Sequence, residues 1–174
     1  ENIADTISVI LADPFDPWAY LYKSHAVIIN ADGTVSMMVS AYLSGNYYIV
    51  IKHRQSVETW SGTPVSFAGN PITYDFTTMA SQAFGSNQKN LAPEGNAWGL
   101  YSGDITGPDG IQDGWVDVRD NVAVFNQNQL GSFGYMREDL TGDGFVDIFD
   151  MVIIFNNLQK GVGMNTPPYP MKKK

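Results

Sequence analysis

The sequence predicts a mainly β chain, in which an antiparallel β-sandwich of Ig-like or jelly-roll type is followed by a small α-helical module. Before residue 91, short β-branched and aromatic runs alternate with turn signals. After residue 103, an acidic segment occurs twice, and each copy precedes a stretch with apolar residues at helical spacing. We therefore expect two domains, the sandwich in residues 1–96 and the helical module with a Pro-rich tail in residues 97–174.

Six runs of four to ten residues predict the strands of the first domain, because they are rich in β-branched and aromatic residues and are bounded by turn residues. They cover residues 6–11, 26–30, 34–43, 46–53, 64–67 and 72–76. Short strands joined by close turns are typical of an antiparallel sandwich.

The negative charge of the chain is concentrated in one region. The formal net charge is −8, and residues 104–150 alone hold ten acidic and two basic side chains. An acidic surface disfavours nucleic acid and anionic lipid as partners, because both need a positive face. The longest apolar runs have five residues, whereas a membrane helix needs about 20, so we expect no membrane span. The chain has no cysteine, which excludes disulfides and thiolate metal sites.

The acidic region contains an internal repeat. At an offset of 30 residues, 113–130 (DGWVDVRDNVAVFNQNQL) aligns with 143–160 (DGFVDIFDMVIIFNNLQK), and nine of the 18 positions are identical. A solvated acidic face has no reason to repeat its carboxylates at fixed spacing. We therefore interpret the repeat as two cation-binding loops.

The second copy, 139–150 (DLTGDGFVDIFD), matches a twelve-residue calcium loop of the EF-hand kind. Its predicted ligands are the side chains of Asp139, Thr141, Asp143, Asp147 and Asp150 and the backbone carbonyl of Phe145. Gly144 occupies position six, where the loop turns sharply. Thr141 at position three and Asp150 at position twelve depart from the pattern, which has an acid or Asn and a Glu there. Hard oxygen ligands in this number favour Ca²⁺ over Mg²⁺.

The first copy is irregular, because Asp109 falls at position one and Ile111, which has no side-chain oxygen, falls at position three. An insertion in which residues 107–112 bulge outward resolves the mismatch. The predicted ligands are then Asp104, Thr106, Asp113, Asp117 and Asp120 with the backbone carbonyl of Trp115. Asp109 is a reserve candidate, and the chain is expected to bind two Ca²⁺ ions.

Each loop leads into a predicted helix whose apolar residues recur at i, i+4 and i+7. They are Val118, Val122 and Phe125 in the first helix and Ile148, Val152 and Phe155 in the second. Asp117 and Asp147 are placed to cap these helices, each with a further Asp three residues on, which is the spacing of a capping box.

A loop followed by one short helix, given twice, resembles the dockerin family, whose duplicated F-hand calcium motifs pack antiparallel. The resemblance covers residues 103 to about 167. The stretch 47–61 (YYIVIKHRQSVETWS) is similar to a segment of β-sandwiches that precede such modules in secreted and surface proteins of Bacteroidota. The tripeptide 5–7 (DTI) also resembles their O-glycosylation site, with Thr6 as the acceptor. The resemblance implies an extracellular, calcium-rich setting and a non-catalytic assembly role.

The sequence contains no recognisable catalytic motif, and we do not expect an enzyme. His25 and His53 each lie in a strand pattern, which favours a structural role. Four isolated acids could in principle form a glycosidase pair but are interpreted as solvent-facing: Asp13, Asp16, Glu58 and Asp75. Seven aromatic residues could line a carbohydrate-stacking platform, although cross-strand packing explains them better. They are Trp18, Tyr20, Tyr22, Tyr42, Tyr47, Tyr48 and Trp60.

These observations predict a secreted or cell-surface, non-catalytic calcium-binding structural protein, a subunit of an extracellular fibre or surface assembly. The favoured partners are further copies of the chain, forming a homo-oligomer or filament, with donation of the apolar N-terminal strand to a neighbouring sheet as one contact. Packing of that strand on its own domain is the alternative. Two other functions stay open, a dockerin-like adaptor that binds a cohesin-like receptor and a carbohydrate-binding module that binds a glycan.

Overall fold

The computed structural model describes residues 3–69, 71–92, 94 and 97–168. The chain divides into two compact units, Glu1–His53 with Glu58–Gly99 and Asn165–Lys174, and Arg54–Val57 with Leu100–Met164. The predicted boundary between residues 96 and 97 adjoins residues 95 and 96, which lie outside the described residues, and it stays a prediction. By contacts, the segment 54–57 belongs to the second unit and residues 165–168 to the first.

Five strands form the main sheet: β1 (Ile3–Ala12), β2 (Tyr20–Asn30), β3 (Asn46–His53), β4 (Ser56–Trp60) and β5 (Val65–Ser66). Their order is β2-β1-β3-β4, and β5 pairs with β3. β1 is antiparallel to both β2 and β3. Two further strands, β6 (Lys89–Ala92) and β7 (Ala97–Gly99), form a separate antiparallel pair.

The main sheet is covered on both faces. Ile10 lies in a buried cluster with Val50 and Trp60, and its neighbour Val9 lies in a second buried cluster with Val27. Because successive strand residues point to opposite sides of a sheet, the two clusters cover opposite faces. Burial on both faces is compatible with the predicted sandwich.

Two of the predicted strands are wrong. The runs at 6–11, 26–30, 46–53 and 64–67 coincide with or overlap β1, β2, β3 and β5, but 34–43 and 72–76 are irregular apart from a bridge between Val35 and Ile29. Their side chains pack without a strand ladder. Met37 packs against the second cluster, and the ring of Tyr74 lies edge-on to Phe76 at 4.8 Å between centroids. Strand propensity reflects such packing as much as backbone preference.

The second unit contains two helices, α1 (Val118–Gln129) and α2 (Ile148–Gln159). One cluster forms its core: Val57, Ile105, Val116, Val124, Val146, Ile154 and Val162. Val124 and Ile154 are equivalent positions of the repeat, so the two copies share one core. Val57 comes from β4. No helix in the described part of the chain is long and apolar enough to cross a membrane.

Candidate functional site

The two acidic loops are held by the same backbone frame. Val116 N donates to Val162 O, and Val146 N donates to Ser132 O, both at 3.0 Å. Two isolated bridges repeat this pattern, Trp115 with Gly163 and Phe133 with Phe145. Each loop is therefore bonded to the chain that leaves the opposite helix, and the predicted repeat is a structural repeat.

In the second loop, the first and last carboxylates tie the ends of the loop together. Asp150 Oδ1 accepts hydrogen bonds from Leu140 N at 2.7 Å and from Thr141 N at 2.9 Å. Asp139 Oδ2 accepts from Gly144 N at 2.9 Å. Both carboxylates are buried, so they converge beneath the turn of the loop.

The first loop makes the same hydrogen bonds, with Asp104 as its first carboxylate. Asp120 Oδ1 accepts from Ile105 N and Thr106 N, each at 2.9 Å, and Asp104 Oδ2 accepts from Gly114 N at 3.1 Å. Both Asp104 and Asp120 are buried. The equivalence of the two loops is therefore restored when residues 107–112 are treated as an insertion.

The inserted residues lie at the surface. Gly110 N donates to Gly107 O and closes a turn at 3.0 Å. Asp109 and Ile111 are exposed. The structure therefore does not bring the reserve candidate Asp109 into the buried set that holds Asp104 and Asp120.

The predicted helix caps are confirmed. Asp117 N donates to Asp120 Oδ2 and Asp147 N donates to Asp150 Oδ2, both at 2.8 Å, and a reciprocal capping box is present at each helix. Asp120 and Asp150 thus use one oxygen to hold the loop and the other to hold the helix start.

The remaining predicted ligands lie in the two turns. Asp113 Oδ1 accepts from Trp115 N at 3.1 Å, and Asp143 Oδ1 accepts from Phe145 N at 2.9 Å. Thr141 Oγ1 donates to Asp139 Oδ1 at 3.3 Å. Within residues 3–69, 71–92, 94 and 97–168, no group of three or more His, Cys, Asp or Glu side chains is arranged so that it could hold a metal ion. The metal-ligand assignment stays a prediction.

One carboxylate oxygen of the first loop lacks a hydrogen-bond partner. Asp104 Oδ1 is buried without one, although Oδ2 of the same group is bonded. Burial, together with the neighbouring Asp120 carboxylate, raises the pKa of Asp104 to about 7. Burial also raises the pKa of Asp120. An unpartnered buried oxygen is costly, and carboxylate oxygens are the kind of donor that Ca²⁺ prefers.

Arg119 is a residue of the site that the sequence analysis did not assign. Its Nη2 lies 2.9 Å from Asp113 Oδ2, and its Nε donates to Asp117 Oδ2 at 2.9 Å. These hydrogen bonds from Arg119 lower the pKa of Asp117. Phe149 occupies the equivalent position of the repeat. The alignment of the two copies therefore already shows that only the first loop has a basic residue there.

Two glutamine side chains, also unassigned from the sequence, hold the starts of the loops. Gln112 Nε2 donates to the carbonyl oxygen of Asp104 at 2.6 Å. Gln55 Nε2 donates to the carbonyl oxygen of Asp139, and to that of Met136 at 3.3 Å. Gln55 lies more than 80 residues before its acceptors, so no local pattern could have identified it.

Both helices expose the apolar residues that define their predicted spacing. Val124 and Ile154 are fully buried, whereas Val122 is 50% and Val152 is 47% exposed. Six residues at equivalent positions are exposed in this way: Val118, Val122 and Phe125 on α1, and Ile148, Val152 and Phe155 on α2. Exposed apolar residues in such number are typical of a protein interaction surface.

Four of the seven aromatic residues considered for a carbohydrate platform pack against other rings. Trp60 is buried, and the rings of Tyr20 and Tyr48 pack against it at 6.4 and 6.0 Å between centroids. Tyr47 packs on Phe67. Their role in the sheet unit is packing, as the strand alternation favours, whereas Trp18 and Tyr42 are exposed.

The histidines and three of the four isolated acids of the first unit have ordinary structural partners, whereas Asp16 Oδ1 is buried without a hydrogen-bond partner. His53 Nε2 lies 3.0 Å from Asp5 Oδ2, and His25 Nδ1 lies 3.4 Å from Ser8 Oγ. The prediction that Glu58 faces solvent is wrong, because this residue is buried. It forms an ion pair with Lys52 and accepts a hydrogen bond from the Trp60 indole at 2.6 Å. Asp13 and Asp75 accept hydrogen bonds from nearby backbone N–H groups.

Comparisons with known proteins include a match to a solved structure. No protein-family model and no curated protein matches the chain. The chain is similar to a chain in the crystal structure of the Coh3ScaB–XDoc_M1ScaA complex, an N-terminal interface mutant of a type II cohesin–X-dockerin complex from Acetivibrio cellulolyticus. The identity is 16%, the TM-score is 0.52, and the match covers 88% of this chain and 81% of that chain. The likeness concerns the fold, and its coverage includes residues of both units.

Proposed function

We propose that the chain is a non-catalytic, extracellular assembly module, in which two Ca²⁺-binding loops stiffen the helical unit and the exposed helix surface binds a protein partner. The observation that carries the proposal is the repeated arrangement of buried carboxylates, which leaves Asp104 Oδ1 without a partner. A loop built only to cap a helix has no need of a second buried carboxylate at its start.

The charge of the loops supports the calcium part of the proposal. Residues 104–150 hold ten acidic and two basic side chains, and like charges packed closely repel each other. Two bound Ca²⁺ ions would supply four positive charges to this region. The residues that would hold them are the twelve predicted ligands, six in each loop, with the buried first and last carboxylates already fixed by backbone N–H groups. Binding to the folded form alone stabilises it.

The helix surface supports the partner part of the proposal. The solved structure that resembles this chain comes from a cohesin–dockerin complex, and a cohesin-like receptor is the partner that we propose. Strand donation between copies has less support, because β1 lies between β2 and β3 of its own sheet. A glycan has less support as well, because Trp60 is buried and three of the predicted aromatic residues pack against it or against Phe67.

Calcium titration of the full chain tests the proposal. We expect calorimetry to detect two sites and Ca²⁺ to raise the melting temperature, since a ligand at 100 times its Kd stabilises a protein by about 2.7 kcal/mol per site. EGTA should reverse the increase, and Mg²⁺ at the same concentration should give a smaller one because it prefers a tight octahedron of ligands. A melting temperature that is the same in Ca²⁺ and in EGTA would reject the calcium role.

Substitution of the helix surface tests the partner. The double variant V122K/V152K should retain the melting temperature of the unmodified chain in Ca²⁺, because both positions are about half exposed. It should no longer bind a cohesin domain that is immobilised on a sensor surface. The alternative partner is a further copy of the chain, which sedimentation of the chain alone would detect. Assembly that increases with concentration and is abolished by V122K/V152K would identify further copies as the partner.

A further inference from the structure

We propose that Arg119 makes the two loops unequal, so that the second loop binds Ca²⁺ at a lower concentration than the first. The inference rests on the calcium binding proposed above and deepens it. It is based on a difference between two loops whose last carboxylates accept the same backbone hydrogen bonds, namely Arg119 in the first and Phe149 at the equivalent position of the second.

The guanidinium of Arg119 contacts the less buried carboxylates among the predicted ligands of the first loop. It forms ion pairs with Asp113 and Asp117, the ligands predicted at positions five and nine. The side chains of Asp113, Asp117 and Arg119 are 22%, 32% and 43% exposed, so this group lies on the solvent side. Asp104 and Asp120 are buried and make no ion pair with Arg119 within the described residues.

The unpartnered oxygen makes this cluster more than a neutralised acidic surface. Arg119 satisfies the two exposed carboxylates, but the buried Asp104 Oδ1 has no hydrogen bond. The first loop therefore contains the Arg119 guanidinium beside Asp113 and Asp117, and an unpartnered buried oxygen at Asp104. A divalent ion that reaches Asp104 and also uses Asp113 and Asp117 must displace the guanidinium, and the two positive charges repel each other at short range.

The second loop lacks this competition. Asp143 and Asp147 accept hydrogen bonds from the backbone N–H groups of Phe145 and Phe149 at 2.9 and 2.7 Å. The phenyl ring of Phe149 brings no charge. Each substitution at 119 or 149 leaves the buried carboxylates of its own loop unchanged, so comparison with the unmodified chain isolates the effect of the guanidinium.

The test is a calcium titration of the full chain and of two exchange variants. R119F should tighten the weaker of the two sites by about fivefold, the scale expected for exposed ion pairs. F149R should weaken the tighter site by a similar factor. The variant K160M removes a positive charge from the second unit at the exposed C-cap of α2, and it should leave both dissociation constants within a factor of about two.

Terbium luminescence assigns the change to a loop. Tb³⁺ held by the predicted ligands of the first loop, which include the Trp115 carbonyl, would lie near an indole, whereas the second loop has Phe145 at the equivalent position. Indole excitation would therefore report the first loop. W115F identifies the part of the emission that arises there. R119F should lower the Tb³⁺ concentration at half-maximal emission.

Three results decide between the proposals. Two different Ca²⁺ dissociation constants that become more similar in R119F support the role of Arg119. Two sites that R119F leaves unchanged or weakens overturn that role while the calcium binding stands. No Ca²⁺ heat and no Tb³⁺ emission in the unmodified chain overturn both.

Discussion

At the scale of single residues, the aspartates at the first position of the two loops, Asp104 and Asp139, are hydrogen-bonded differently. Asp139 accepts backbone hydrogen bonds on both of its oxygens, from Gly142 N at 2.8 Å and from Gly144 N at 2.9 Å. Asp104 accepts one on Oδ2, and its buried Oδ1 has none. The free energy that each carboxylate contributes without a cation should therefore differ in sign.

Asn variants of these two residues test the difference. In EGTA, D104N should raise the free energy of unfolding by about 1 kcal/mol, because it removes an unpartnered buried charge. In the same buffer, D139N should lower it by about 1 kcal/mol, because it weakens two charge-assisted hydrogen bonds. Urea denaturation measures both. A loss of stability in D104N as large as that in D139N would contradict the role assigned to Asp104 Oδ1.

At the scale of the elements, each helix separates its apolar residues into a buried set and an exposed set. On α1, Val124 is fully buried and Val122, two residues earlier, is 50% exposed. Helical spacing alone predicted the exposed stripe and could not say which apolar stripe would enter the core, because α1 and α2 are apolar on more than one side.

Matched alanine variants on α1 measure that separation. V124A should lower the free energy of unfolding by about 2 kcal/mol, because it leaves a cavity in the core. V122A should change it by less than about 0.5 kcal/mol, because the residue is half exposed. The same chemical change is made in both variants, so their difference in urea denaturation reports burial. Equal losses would show that the helix is oriented differently.

The sequence predicted the elements that depend on local signals and missed those that depend on distant contacts. The capping aspartates, the repeat offset and the starts of both helices follow from spacing within the sequence, and the structure contains them. The run at 34–43 has strand composition but packs as an irregular segment. Gln55 holds the second loop from a turn far upstream, which no spacing within the loop can indicate. The ion assignment needs a bound cation and stays a prediction.

At the scale of the whole molecule, the two compact units exchange segments along the chain. The segment Arg54–Val57 belongs to the helical unit, although its last two residues are the start of β4. Val57 is fully buried in the core of that unit, and its N–H donates to Tyr101 O at 2.9 Å. The helical unit therefore needs residues from the first half of the chain.

Truncation tests this dependence. A fragment of residues 100–164 lacks Val57 and Gln55, and we expect it to lose cooperative thermal unfolding even in Ca²⁺. In the full chain, V57A should lower the free energy of unfolding by about 2 kcal/mol, which is typical of a cavity in a core. Calorimetry and near-ultraviolet circular dichroism provide the measurements. A fragment with the melting temperature of the full chain would show that the segment is dispensable.

The crossed pairing of the acidic loops also makes each copy of the repeat depend on the other. Val116 bonds to the chain after α2, and Val146 bonds to the chain after α1, so a single copy would have backbone groups without acceptors or donors. Two identical copies on separate chains could satisfy one another through a twofold axis. The fold thus contains, within one polypeptide, the geometry of a symmetric dimer of half-modules, and a peptide that spans one copy is the natural starting point for building such a dimer.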